Sequence, residues 1–163
     1  MKIVFENFWL FFIIAASITG INFKIKSKKY IKDNPELKSG YNKMFTGWMV
    51  FGNIPWIIVG IGSIGNYTKN IFDYFNPKNL NPFVLIFYIS IIFIWVLSVY
   101  WIYFKNGAEF IEKHPGLFIK RGFGDNLDKV TAKQIKILLG LGLLGGIIGL
   151  IMIWIIDFPL PVF

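Results

Sequence analysis

Three side chains within a short run carry the richest chemistry in this sequence: Glu109, Glu112 and His114, in Glu109-Phe110-Ile111-Glu112-Lys113-His114-Pro115-Gly116. Two carboxylates three positions apart share a helix face, and the histidine two further on adds an imidazole. Such a set is a candidate for metal ligation or for acid–base work on a lipid-like substrate at an interface. The structural alternative is plain. Lys113 and Lys105 are close in sequence and available to pair with the acids, while a histidine directly before proline is placed to close a helix or a turn.

Other chemistry is narrowed by what is missing. The sequence has no cysteine, so disulfides, Cys-ligated zinc, iron–sulfur clusters and thiol nucleophiles all drop out. His114 is the only histidine, so a multi-histidine site would need symmetric copies of the chain. Neither a metal nor a cofactor is expected. No ionisable residue lies in the central part of any apolar stretch, and such residues are the usual marks of proton relays and ion-coupled transport. A pump is therefore not expected.

The elements that must hold these residues belong to a membrane. Of 163 residues, 55% are hydrophobic, 19% aromatic and only 16% charged, whereas soluble domains carry about 25% charged residues. Mean hydropathy is +0.59. Four apolar stretches, at 3–21, 45–65, 83–104 and 137–156, approach or reach the roughly 20 residues that cross a hydrocarbon core. The third is the clearest, since no charge falls between Phe83 and Phe104. The first is the weakest. Glu6 and Asn7 interrupt its start, and Lys2 with Ala15-Ala16-Ser17 gives it a passing likeness to a signal peptide.

The formal charge of +8 is distributed unevenly. Segment 22–44 holds seven lysines against two acids, a net +5, and segment 105–136 holds seven basic residues against four acids, a net +3. The remainder balances. Both segments follow odd-numbered spans and so share one side, which the positive-inside rule makes cytoplasmic. Both termini and the loop at 66–82 then lie outside, and the compartment expected is a bacterial inner membrane. Lys24, Lys26, Lys28 and Lys29, with Lys129, Lys133 and Lys136, are candidate contacts for anionic lipid. Their alternative role is to enforce topology. Nucleic acid is not expected, because no base-reading fold or aromatic platform is visible.

Several local patterns refine the picture. Asp33-Asn34-Pro35-Glu36 reads as a helix start, from which Leu37, Tyr41, Met44 and Phe45 recur at helical spacing along an amphipathic helix that runs along the membrane surface and into the second span. Asp125-Asn126-Leu127-Asp128 reads as a second cap, leading through Lys129, Lys133 and Lys136 into the last span. Asn53-Ile54-Pro55 should kink the second span, because Pro55 has no N–H for the carbonyl of Phe51; the break either lines a cavity or is satisfied locally. Gly142, Gly145, Gly146 and Gly149 form small-xxx-small pairs through which helices approach closely, against another span or another chain. Trp9, Trp48, Trp101 and Trp154 read as an interfacial aromatic belt. A weak repeat places Tyr30-Ile31, Pro35 and Leu37 eighty positions before Phe110-Ile111, Pro115 and Leu117.

The expected molecule is a single all-α membrane domain over 1–163, a four-span bundle with amphipathic interfacial helices and a possible two-fold internal repeat. The expected function is non-enzymatic: an accessory or scaffold subunit packing with other membrane proteins or with itself, and contacting lipid or an acidic partner through its basic face. The alternatives are a homo-oligomeric pore or membrane-perturbing effector, and an interfacial enzyme built on Glu109, Glu112 and His114.

Overall fold

Asparagines and prolines, rather than charges, punctuate this chain. The structure is a computed structural model that describes residues 2–116 and 130–156. Those residues are helical and contain no strand. A short helix α1 (Lys2–Glu6) stops at Asn7, whose side-chain amide donates to the Ile3 carbonyl at 2.9 Å. Helix α2 (Phe8–Asp33) then runs unbroken for 26 residues. Nothing between Asn7 and Pro35 forces a stop, since lysine and isoleucine both tolerate helix well.

At Asn34-Pro35 the chain reverses through a 3-10 turn (Pro35–Leu37) into α3 (Lys38–Phe51). As expected, a helix starts after Pro35 and runs into the second apolar stretch, while α2 also extends into the basic segment 22–44. Its residues are the end of α2 and the start of α3, paired with each other and continuous with the apolar stretches on either side. Asn34 closes α2 without a side-chain capping bond. Pairing side chains, not a cap, make the hairpin: Trp48 Nε1 donates to the Ala16 carbonyl at 2.9 Å and Phe23 meets Tyr41 at 5.8 Å, and beyond α3 Phe12 stacks on Trp56 at 3.7 Å.

The expected kink falls where Pro55 demands it. Helix α3 ends at Phe51, and α4 (Ile54–Ile64) begins after Gly52 and Asn53, with Pro55 in its first turn where no N–H is needed. The loop at 66–81 folds into two 3-10 turns, Ile71–Phe75 and Pro77–Asn79. Asn70 and Asn81 cap the elements that follow by accepting from the backbone N–H groups of Phe72 and Phe83.

Helix α5 (Pro82–Val99) returns along α4 and widens into a π-helical turn at Tyr100–Phe104. Asn106 then adopts a left-handed conformation, φ 54° and ψ 29°, which asparagine tolerates better than most residues. It redirects the chain into the short helix α6 (Gly107–Lys113). Helix α7 (Ala132–Ile155) starts at a capping box in which Thr131 accepts from the Gln134 N–H and Gln134 accepts from the Thr131 N–H. The expected cap at 125–128 and Lys129 lie outside the described residues.

Among the described residues four helical stretches are long and apolar enough to cross a membrane: Phe8–Asp33, Pro35–Ile64, Pro82–Phe104 and Ala132–Ile155. Two cores hold them together, one at each end. At the loop end Val59, Tyr74, Val84 and Tyr88 are buried with Trp9, Trp56 and Phe87 around them. At the basic end Ile102, Ala108, Ile111 and Ile135 are buried beside Met44 and Leu139. Helix α7 contributes Ile135 and Leu139 to the second core and Leu150 and Ile153 to the first.

Candidate functional site

The two carboxylates and the histidine that suggested chemistry do not converge. Glu109 and Glu112 project from α6 toward the first turns of α7. Glu112 Oε2 accepts from the backbone N–H of Ala132 at 3.1 Å, satisfying one of the orphan donors at the α7 start where a negative charge also complements the helix dipole. Glu109 Oε1 takes a hydrogen bond from Lys136 Nζ at 2.7 Å. That bond, more than any other influence, holds the Glu109 carboxyl below its ordinary pKa. Lys105, the partner expected from its place in the sequence, instead lies over the ring of Tyr100 at 5.4 Å.

His114 points elsewhere. It is the closing residue of α6, only 6% exposed, and its Nδ1 lies 2.7 Å from the Phe110 carbonyl. Its ring meets Tyr41 edge-on at 5.1 Å and fills the notch left by the absent side chain of Gly40: a Cβ on Gly40 would lie 1.9 Å from Nε2. Tyr41, almost wholly buried, donates its hydroxyl to the Pro115 carbonyl at 2.8 Å. The three residues therefore work as fasteners in two directions, with the acids tying α6 to α7 and the histidine tying α6 to α3. Among the described residues no group of three or more Asp, Glu or His side chains is placed to hold a metal ion.

Asn53 is buried at 6% exposure, and its Nδ2 donates to the Met49 carbonyl at 2.7 Å, one turn back. That bond fixes the amide orientation and leaves Oδ1 buried without a hydrogen-bond partner among the described residues. Half of the side chain is thus satisfied locally across the Pro55 break. Trp9 lies across Gly60, where a Cβ would come within 2.8 Å of the indole.

The glycines of α7 divide in a way their spacing did not announce. Gly146 is filled: a Cβ there would meet the Trp95 ring at 2.6 Å. A Cβ on Gly142, Gly145 or Gly149 would meet no atom of the described residues within 4 Å beyond its own helix backbone. The four glycines do not act as two small-xxx-small pairs within the chain. One belongs to the packed row Leu139, Leu143, Gly146, Leu150, Ile153, and the other three belong to the neighbouring row Leu138, Gly142, Gly145, Gly149, Met152. Alternating steps of three and four keep each row on one face of the helix.

Of the candidate lysines, Lys24, Lys26, Lys28, Lys29 and Lys133 are exposed, while Lys136 is engaged with Glu109. The Lys24 ammonium lies 4.6 Å from the ring of Phe45. Sequence reasoning missed Gly40, Tyr41 and Trp95, because a notch and the side chain that fills it are far apart along the chain. It also passed over Thr131-x-x-Gln134, a readable capping signal. Comparison of the chain with protein-family models, curated proteins and solved structures finds no match.

Proposed function

We propose that this protein is a non-enzymatic integral membrane subunit, an accessory or scaffold that packs with other membrane proteins or with a second copy of itself through α7. In this reading the basic end lies in the cytoplasm, both termini lie outside, the membrane is a bacterial inner membrane, and the basic end contacts anionic lipid or an acidic partner. The observation that carries it is the open glycine row Gly142, Gly145 and Gly149. A row of missing side chains at mid-helix lets a second backbone approach closely, which is how helices associate where lipid supplies no hydrophobic drive. The separation of Glu109 and Glu112 from His114 favours this reading over an interfacial enzyme.

The sequence has no cysteine, so single-cysteine variants test the proposal cleanly. Gly145→Cys in native membranes should form an interchain disulfide or a crosslink to another membrane protein, and Trp101→Cys on the neighbouring helix should not. A chain that extracts gently as a lone monomer, with no crosslink at Gly145→Cys, overturns the proposal. Symmetric oligomers that conduct ions in bilayers would favour the pore reading instead.

A further inference from the structure

Helix α2 carries its buried face through Gly20, Phe23 and Ser27 toward α3. The opposite face holds Ile14, Ile18, Ile21 and Ile25, which are 56%, 53%, 50% and 56% exposed. Steps of four and three place these isoleucines in one row, and the same steps continue without a shift into Lys28 and Lys32, with Lys29 beside them. One straight row is therefore apolar for three turns and cationic for the next.

Its length is informative. From Phe8, where α2 begins, to Ile25 is 18 residues, or about 27 Å at about 1.5 Å per residue, close to the roughly 30 Å of a hydrocarbon core. The isoleucines thus span acyl-chain depth, and Lys28, Lys29 and Lys32 emerge at headgroup depth. All three are exposed. Among the described residues no carboxylate lies within ion-pair distance of Lys24, Lys26, Lys28, Lys29 or Lys32, and the acids of the hairpin, Asp33 and Glu36, sit beyond them at its turn.

We infer that this face of α2 is a binding surface for an anionic phospholipid, with its acyl chain along Ile14, Ile18, Ile21 and Ile25 and its phosphate against Lys28, Lys29 and Lys32. The order of apolar then cationic side chains along one row matches the order of chain then phosphate in a lipid. A water-borne acidic protein would satisfy the lysines and leave the isoleucines without a role. The inference deepens the lipid contact of the proposed function and rests on its membrane reading, but not on packing through α7.

The test uses the full chain in nanodiscs of phosphatidylcholine and phosphatidylglycerol in equal parts, with spin-labelled forms of each lipid as probes. The ratio of immobilised phosphatidylglycerol to phosphatidylcholine should strongly favour the anionic lipid, and K28Q/K29Q/K32Q should lower it by at least about fivefold, the worth of one exposed lysine near the surface. A charge-preserving K28R/K29R/K32R variant should keep the preference, and K113Q, which removes an exposed charge outside this row, should leave it unchanged. An unchanged ratio in the triple glutamine variant overturns the inference. So does an equal fall in K113Q, or displacement of the lipid by excess soluble polyglutamate. Crosslinking at Gly145→Cys in the triple glutamine background reports separately on α7, so loss of one result without the other tells which reading failed.

Discussion

Glycine is used in opposite ways by the first hairpin and by the last helix. In the hairpin each buried glycine is a notch with an occupant: Met49 and Trp48 at Gly20, His114 at Gly40, Trp9 at Gly60, and Tyr74 with Thr68 at Gly62. In α7 the notches at Gly142, Gly145 and Gly149 meet no other side chain among the described residues, and Gly146 alone of that group is filled. The residue type is the same, and its neighbours decide what it does. A filled notch stabilises the chain's own fold, because a large ring gains contacts that no Cβ obstructs. An open one contributes nothing within the monomer and leaves a surface for another helix.

The comparison is sharpest at Gly40. A valine there must displace the His114 ring, which is held by the Phe110 carbonyl and boxed by Tyr41, so Gly40→Val should cost about 3 kcal/mol as measured by thermal unfolding in detergent. If that variant unfolds with the wild type, the His114 clamp is not a fastening. Next in size, His114→Ala should cost about 2 kcal/mol for the cavity it leaves. More telling is the coupling: in the His114→Ala background, Gly40→Ala should become nearly harmless, and additive losses would show that the two sites do not share one notch.

A smaller effect concerns the other fastening of α6. Because the Lys136 hydrogen bond lowers the folded-state pKa of Glu109, its contribution is complete at pH values above the unfolded carboxyl pKa. It fades as pH falls through the depressed folded value, so stability declines on acidification. Glu109→Gln should remove that part of the acid dependence and leave unfolding near neutral pH only slightly changed; an unaltered acid limb would sink the assignment. Smallest of all, Gly145→Ala should cost the isolated chain nothing, since its Cβ meets no atom and alanine is the better helix former. Measurable destabilisation of the monomer by Gly145→Ala would erase the contrast between the two regions.

Much of the architecture was legible before any coordinates. Four apolar stretches, the weak start at Asn7 and the break at Pro55 follow from residue types acting locally, because helix length, proline geometry and hydropathy are properties of short segments. The basic segments were harder. Segment 22–44 was legible as a helix starting at Pro35 and running into the second apolar stretch, but not as the end of α2, since lysines extend a helix as readily as they end a span; Phe23 with Tyr41 and Trp48 with Ala16 pair α2 and α3 along that length. The candidate site was legible as residues and illegible as geometry. Glu109, Glu112 and His114 sit within six positions, but the turn closing α6 sends the histidine toward Gly40 and the acids toward Ala132 and Lys136.

By itself the sequence determined composition, the number of stretches apolar enough to cross a membrane, and the sorting of its +8 charge into two segments, all of which depend on residue type and length alone. Only the tertiary structure decided which notches are filled. The partners of Gly40, Gly60 and Gly146 lie 74, 51 and 51 positions away at His114, Trp9 and Trp95, and no local pattern encodes a contact at that separation. Steric fit between distant side chains settles it. The same fit that closes the first hairpin upon itself leaves α7 open along one row.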